Sequence, residues 1–348
     1  MHGTLAPPAP KNVDAAPVLE AEGVWKVFGR EGAALCTRSQ PPVADEILRA
    51  GGIIALRDAS FSISRGEIFV IMGLSGSGKS TLLRCLTGLY EATLGNIRLA
   101  GSDISRAGKG ELRELRRHKI SMVFQNFALL PHLNAIDNVA FPLRVQGVEN
   151  AERRRRAADA LKLVGLGELE SRFPGELSGG QQQRVGIARS LVTEPEIWFL
   201  DEPFSALDPL IRREMQDEFL RLQSQLNKSI VFVTHDLEEA VRLGDRIAVM
   251  SEGRILQTGT PEELLLNPID QYVKRFFGGI ARDKIIRAGS VAEPLTPDCA
   301  MDRPVPTGAT LSEVAQQVIE SVAPVAVQDV SGTVIGQISR RGLAKWLS

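Results

Sequence analysis

Short apolar runs recur along the chain, separated by longer polar stretches. Val18–Phe28 reads as a first strand, and strand-like runs follow at Ala59–Ile63 and Glu67–Met72. The pattern predicts further strands at Gly95–Leu99, Ile120–Phe124, Glu196–Asp201, Ser229–Thr234, Arg246–Ser251 and Arg254–Thr258. Helical stretches lie between them, so strands alternate with helices. That alternation predicts an α/β fold with a mostly parallel sheet. Gly29 to Gly52 interrupts it, with Pro41, Pro42 and a short helix over Val43–Ala50, and reads as an insertion between two strands. Pro142–Phe173 is charged and helical and reads as a helical insert.

Helix starts are legible. Asp208-Pro209 supplies an N-cap followed by proline at the first helical position. Thr260-Pro261-Glu262-Glu263 does the same and adds a capping box. Residues 1–17, rich in Ala and Pro, read as a disordered lead. A large domain is expected over 18–282, with a helical subdomain at about 126–178. A linker over 283–293 and a small α/β unit over 294–348 complete the expected layout.

Composition narrows the function classes. The 348 residues carry 41 Lys and Arg against 42 Asp and Glu, a net charge of −1. There is no global basic field, so nucleic acid is not an expected partner. Cys36, Cys85 and Cys299 are odd in number and far apart, which fits neither a zinc knuckle nor a disulfide framework. A reducing cytosol is the expected setting. The longest apolar runs fall far short of the ~20 residues that span a bilayer. Met1–Pro10 has no apolar core of a signal peptide. A membrane role would come through a partner.

Three motifs carry chemistry. Gly73-Leu74-Ser75-Gly76-Ser77-Gly78-Lys79-Ser80 fits the phosphate-loop pattern, with Thr81 next. Glycines let backbone N–H groups face phosphates, and a helix beginning at Lys79 adds its positive end. Lys79 would meet the β- and γ-phosphates, and the Ser80 hydroxyl would hold Mg²⁺. Thr81 replaces the third glycine of a dinucleotide fingerprint, which excludes that reading. Ile197–Glu202 is an apolar strand ending in Asp201 and Glu202 at a sheet's carboxyl edge. Asp201 suits Mg²⁺ and Glu202 suits activation of a water. Leu177-Ser178-Gly179-Gly180-Gln181 opens a helix with a Ser-x-x-Gln capping box and two glycines that leave room for an anion.

Together these motifs resemble those of ATP-binding cassette (ABC) ATPases, and the resemblance covers residues 18–280. It implies a phosphate-loop nucleotide-binding domain with a helical subdomain, ATP and Mg²⁺ as ligands, and two cassettes facing head to tail. Ser178 and Gly180 would then contact ATP held by the partner chain. Gln125, after Ser121–Phe124, matches the glutamine that senses Mg²⁺ and the nucleophilic water. Ser205-Ala206-Leu207-Asp208 matches the loop exchanged between the chains. His235 matches the switch histidine; His2, His118 and His132 read as structural or solvated. The aromatic that stacks on adenine is Phe28, with Trp25 the alternative.

One phosphate loop and one signature make half an ATPase, so a homodimer is expected. Length excludes a fused exporter, and no coiled-coil insert or second cassette is present. An importer subunit remains, peripheral at the cytoplasmic face of the membrane and partnered by permease subunits and an extracytoplasmic solute-binding protein. Trp25-Lys26-Val27-Phe28-Gly29 with its insertion, Glu67–Thr81, Phe127–His132, Phe204–Arg212 and Tyr272–Phe277 are similar to importers of glycine betaine, proline betaine and choline. Gln181 is a departure, since some betaine members carry Met there. Alternatives are an amino-acid or methionine importer ATPase and a soluble nucleotide-dependent clamp. Phe127, Leu129 and Leu130 are candidate permease contacts, with core packing an equal reading. Arg153–Arg156, among acidic neighbours, reads as a solvated helix face.

Thr310–Ser348 reads helix, strand, turn at Ser331-Gly332, strand, helix, preceded by a strand near Val305. This is similar to one cystathionine-β-synthase (CBS) motif. Gly342 stands where nucleotide-binding versions carry an acidic residue. A regulatory role and a dimer-stabilising one are both open.

Overall fold

The computed structural model describes residues 16–38, 43–124 and 128–347. They divide into two compact units, one ending at Thr258 and one beginning at Gly259. The expected disordered lead falls almost wholly outside the described residues, as do Gln125 and Phe127.

In chain order the larger unit contains β1 (Leu19–Phe28), α1 (Arg30–Arg38), α2 (Ala44–Arg49), β2 (Ile53–Ile63), β3 (Ile68–Met72), α3 (Lys79–Leu86), β4 (Leu94–Leu99), β5 (Ser102–Asp103) and α4 (Lys109–His118). It continues with β6 (Ile120–Val123), α5 (Ala135–Val145), α6 (Asn150–Leu163), α7 (Gly179–Leu191), β7 (Ile197–Asp201), α8 (Pro209–Leu226), β8 (Ser229–Thr234), α9 (Leu237–Leu243), β9 (Arg246–Ser251) and β10 (Arg254–Gly259).

Two sheets form, not one. The six-stranded sheet runs β10-β9-β3-β8-β7-β6. Its pairings from β9 through β6 are parallel. Every residue of β3 and β8 is buried, as expected for central strands of a parallel sheet covered on both faces. The second sheet runs β2-β1-β4-β5 and is antiparallel. Its β1 buries Leu19, Ala21 and Val24 in the same core as Phe69, Ile71, Leu82 and Leu86.

The insertion after β1 holds more structure than the sequence suggests. Besides α2, close to the expected helix, it contains α1. Trp25 and Val27 of β1 cluster with Cys36 of α1 and Ile47 of α2, so the two helices cover apolar residues the strand would otherwise expose. Strand β2 also begins earlier than expected, at Ile53. Asp58, at φ 55°, is a local distortion inside it, and that break hides the first half of the strand in the sequence.

Helices α5, α6 and α7 pack on one another as the helical insert. The Arg153–Arg156 run lies on α6. There Arg154 pairs with Asp137, Arg155 with Glu152 and Asp159, and Arg156 with Glu194. Under the sheet, Trp198, Phe204, Phe219 and Phe232 form an aromatic cluster with neighbouring centroids 5.7–6.1 Å apart.

The smaller unit contains α10 (Pro261–Leu266), α11 (Gln271–Phe277), β11 (Ala300–Pro306), α12 (Leu311–Glu320), β12 (Val325–Gln328), β13 (Val334–Ile338) and α13 (Arg340–Leu347). The sheet order is β11-β12-β13, parallel then antiparallel. Val305, Leu311, Val314, Val327, Ile338 and Leu343 are buried together. The contact boundary lies upstream of Arg282, where composition placed it. The reason is local: the Glu262 carboxylate accepts hydrogen bonds from the Arg287 amide and the Ser290 hydroxyl. Leu265 packs on the same core, so α10 belongs here.

Candidate functional site

The phosphate loop leaves the carboxyl end of β3 and enters α3. Two glycines are demanded by space. A Cβ on Gly73 would lie 2.3 Å from the Met250 carbonyl. Gly78, at φ 102°, would place one 2.6 Å from the Ala55 carbonyl. Gly78 also lacks a side chain to cap α3, which leaves the first amides of that helix without a side-chain acceptor. The Lys79 ammonium donates to the Gly73 and Leu74 carbonyls at 2.8 and 3.1 Å. Burial pulls its pKa down, while the charges of Glu202 and Asp201 oppose that shift. Among the described residues the buried Ser77 hydroxyl has no hydrogen-bond partner. A loop with an orphaned hydroxyl, a buried cation and an uncapped helix end is built for an anion.

Strand β7 delivers Asp201 to the same edge. Its carboxyl pKa is raised by burial and by the Glu202 charge. Arg84, a hydrogen bond from Ser80 and the Lys79 charge pull the other way. Glu202 follows in the left-handed region at φ 46°, held by its amide to the Val233 carbonyl at 2.9 Å. Strain of this kind concentrates at functional sites. The Glu202 carboxylate accepts from His235 Nδ1 at 3.0 Å. Lys79, Ser80, Asp201, Glu202 and His235 are thus joined by hydrogen bonds or close charge at one sheet edge. A carboxylate oriented this way can take a proton from a water attacking a bound phosphate.

The loop bearing His235 rests on residues that have no motif. Glu239 is buried on α9 and accepts from the Thr234 hydroxyl at 2.7 Å and from the Gln216 side-chain amide at 3.3 Å. Burial raises its pKa. Arg212 pairs with Asp236 and Glu239 and donates to the Leu207 carbonyl. Arg212 closes the Phe204–Arg212 segment, Glu239 follows His235 by one turn of helix, and Gln216 has no sequence signal.

Ser178 accepts from the Gln181 amide at 3.3 Å and Gln181 Oε1 accepts from the Ser178 amide at 2.9 Å, closing the capping box. Leu177 is buried, whereas Ser178 and Gly179 are exposed at the start of α7. Gly180 faces Ile211, where a Cβ would come within 3.1 Å, and Gly179 lies nearest Leu207. The signature therefore sits beside the Ser205–Asp208 loop. Ala206 and Asp208 of that loop are exposed, and Ser205 donates to the Glu202 carbonyl at 2.9 Å.

The two adenine candidates separate. Trp25 is 5% exposed and belongs to the core cluster under α1 and α2. Phe28 is 37% exposed at the end of β1. Leu129 and Leu130 are half-buried, and His118 and His132 are exposed.

Comparison with known proteins agrees with this geometry. The ABC transporter family model matches residues 56–205. The trimethylamine N-oxide transport system ATP-binding protein of Ruegeria pomeroyi is 50% identical over 328 residues, which are 94% of this chain and 96% of the relative. The glycine betaine transport ATP-binding protein of Bacillus subtilis is 50% identical over 80% of this chain and 68% of its own length. The glycine betaine/proline betaine transport ATP-binding protein of Escherichia coli is 49% identical over 79% of this chain and 69% of its own. Among solved structures, a dimeric ATP-binding cassette in a post-hydrolysis state with ADP and Pi matches at TM-score 0.58 and 33% identity. It covers 70% of this chain and 98% of that one.

Proposed function

Because this chain belongs to the ABC transporter family, we propose that its ATP hydrolysis drives an importer of small methylated amines, with trimethylamine N-oxide the leading solute. The observation that carries the choice is coverage. The relative named for trimethylamine N-oxide matches along 94% of the chain, and the glycine betaine relatives along 79–80%. Glycine betaine and choline are the second reading, because they share the trimethylated nitrogen and those relatives are equally identical where they match.

The phosphate loop from Gly73 to Thr81 cradles the triphosphate, and Lys79 exchanges its loop carbonyls for phosphate oxygens. Glu202 is the base that orients and deprotonates water. His235 pins the Glu202 carboxylate through Nδ1 and leaves Nε2 for the γ-phosphate. A magnesium ion fits Ser80 and Asp201, two hard oxygen donors already joined by a hydrogen bond. When bound it neutralises charge on the phosphates. Gln125 is its third proposed contact. Phe28 stacks on adenine.

The signature, Leu177 to Gln181, with Ser178 and Gly179 exposed, completes the site of a second copy, and Ser205–Asp208 crosses between the two. Permease subunits dock near Leu129 and Leu130, and a binding protein delivers solute on the far side. The chain acts peripherally at the cytoplasmic face. Residues 294–348 of the smaller unit are a single CBS-like motif that stabilises the dimer or regulates it. Gly342 at the position of the ribose-binding acidic residue speaks against an adenosine site there.

Fractionation tests the motor reading against a soluble clamp. The chain should sediment with membranes when its permease is co-expressed and stay in the supernatant when it is not. Sedimentation that ignores the permease contradicts the proposal.

A further inference from the structure

A group of side chains around Phe28 is not used by the motifs. The Phe28 and Tyr90 rings meet at 84° with centroids 5.8 Å apart. The Lys26 ammonium lies 5.1 Å from the Phe28 centroid and 5.8 Å from that of Tyr90. These three centres make a nearly equilateral triangle. With Lys26 over one face of Phe28, the distances put Tyr90 on the Lys26 side rather than opposite it, and Phe28 remains 37% exposed.

Tyr90 is tied to the phosphate-loop helix, and Lys26 and Phe28 to the segments beside it. Arg84 of α3 donates to the Tyr90 hydroxyl at 3.1 Å, and its guanidinium lies 5.4 Å from the Tyr90 centroid. The Tyr90 amide donates to the Arg84 carbonyl at 2.9 Å. Lys26 donates to the Glu91 carbonyl at 2.7 Å. Phe28 pairs with Ile53 of β2, the strand whose Ala55 carbonyl abuts Gly78. Helix α3 is eight residues long, about 12 Å, with the triphosphate cradle at its start and Tyr90 just past its end.

We propose that Tyr90 is a positioning residue for the nucleotide base: its ring, edge-to-face with Phe28 on the side where Lys26 sits, braces Phe28 so that this partly exposed ring meets adenine in register with the phosphate loop. The inference rests on the reading of Phe28 as the stacking residue. The energetic basis is modest. An aromatic pair of this geometry contributes ~0.5–1.5 kcal/mol beyond its buried area. By the tenfold-per-1.4 kcal/mol relation that is about a two- to twelvefold effect on affinity.

The test compares ATP with inorganic tripolyphosphate, which shares the phosphates and lacks the base. Dissociation constants are measured by calorimetry on the full chain and on Tyr90→Phe, Tyr90→Leu and Phe28→Ala. Tyr90→Leu should weaken ATP binding about two- to twelvefold, raise KM in step, and leave kcat and tripolyphosphate binding unchanged. Tyr90→Phe keeps the ring but loses the Arg84 hydrogen bond, and should weaken ATP binding less than Tyr90→Leu does. If Tyr90→Leu weakens both ligands equally, Tyr90 merely supports the loop and the inference fails. If Phe28→Ala weakens ATP selectively and Tyr90→Leu does not, the inference fails while the stacking reading stands. If Phe28→Ala changes neither ligand, the stacking reading fails and takes the inference with it.

Discussion

At the scale of single residues, the account rests on carboxylates held where carboxylates are costly. Asp201 is partly buried beside Glu202, and both burial and that neighbour raise its pKa. Folding therefore favours its protonated form. The stability it contributes is complete below the ordinary carboxylate range and is lost as pH rises through the raised value. Asp201→Asn should accordingly raise the melting temperature of the ligand-free chain at neutral pH, with the gain shrinking on acidification. A gain that grows towards acid would contradict this assignment. Glu202 has the opposite signature in function: Glu202→Gln keeps the shape and hydrogen-bonding reach of the side chain but cannot take a proton. ATP binding should survive and kcat should fall by about 10²–10⁴. Near wild-type turnover would remove Glu202 as the base. The residues of these roles were legible because each motif is contiguous in sequence. Glu239, Arg212, Arg84 and Tyr90 were not, because only the folded chain brings Glu239 to Gln216 or Arg84 to the Tyr90 ring.

At the scale of elements, the sequence speaks most clearly where an element is buried on all sides. The runs at β3 and β8 are apolar throughout and end at the phosphate loop and at His235. The second sheet was hidden because β1 and β2 carry local distortions at Gly23 and Asp58 that break their alternation. Helix α1 was hidden by its glycine. A Cβ on Gly32 would lie 2.6 Å from the Gly52 Cα, so the residue that reads as a break is what lets α1 approach the chain before β2. Capping gave α7, α8 and α10 correctly, since each begins with a side chain accepting from an amide three residues on. The α7 cap also yields a prediction. Ser178→Ala should cost about 1 kcal/mol of stability as a lost N-cap. Hydrolysis should fall far more than stability does, while ATP binding to the isolated chain is unchanged. Loss of activity in proportion to lost stability would reduce Ser178 to a cap.

For the molecule as a whole, charge is nearly balanced, and among the described residues no helix is long and apolar enough to cross a membrane. One phosphate loop and one signature, with a dimeric cassette among the structural neighbours, support the proposal that two copies work together. The most direct test is ATP hydrolysis by the complex of this chain, its permease and its binding protein in liposomes. The solutes to compare are trimethylamine N-oxide, glycine betaine, choline, proline and methionine. The account predicts selective stimulation by a methylated amine, strongest with trimethylamine N-oxide, and none from the Glu202→Gln complex. Stimulation by proline or methionine alone would contradict the assigned cargo, and stimulation that survives Glu202→Gln would contradict the assigned chemistry.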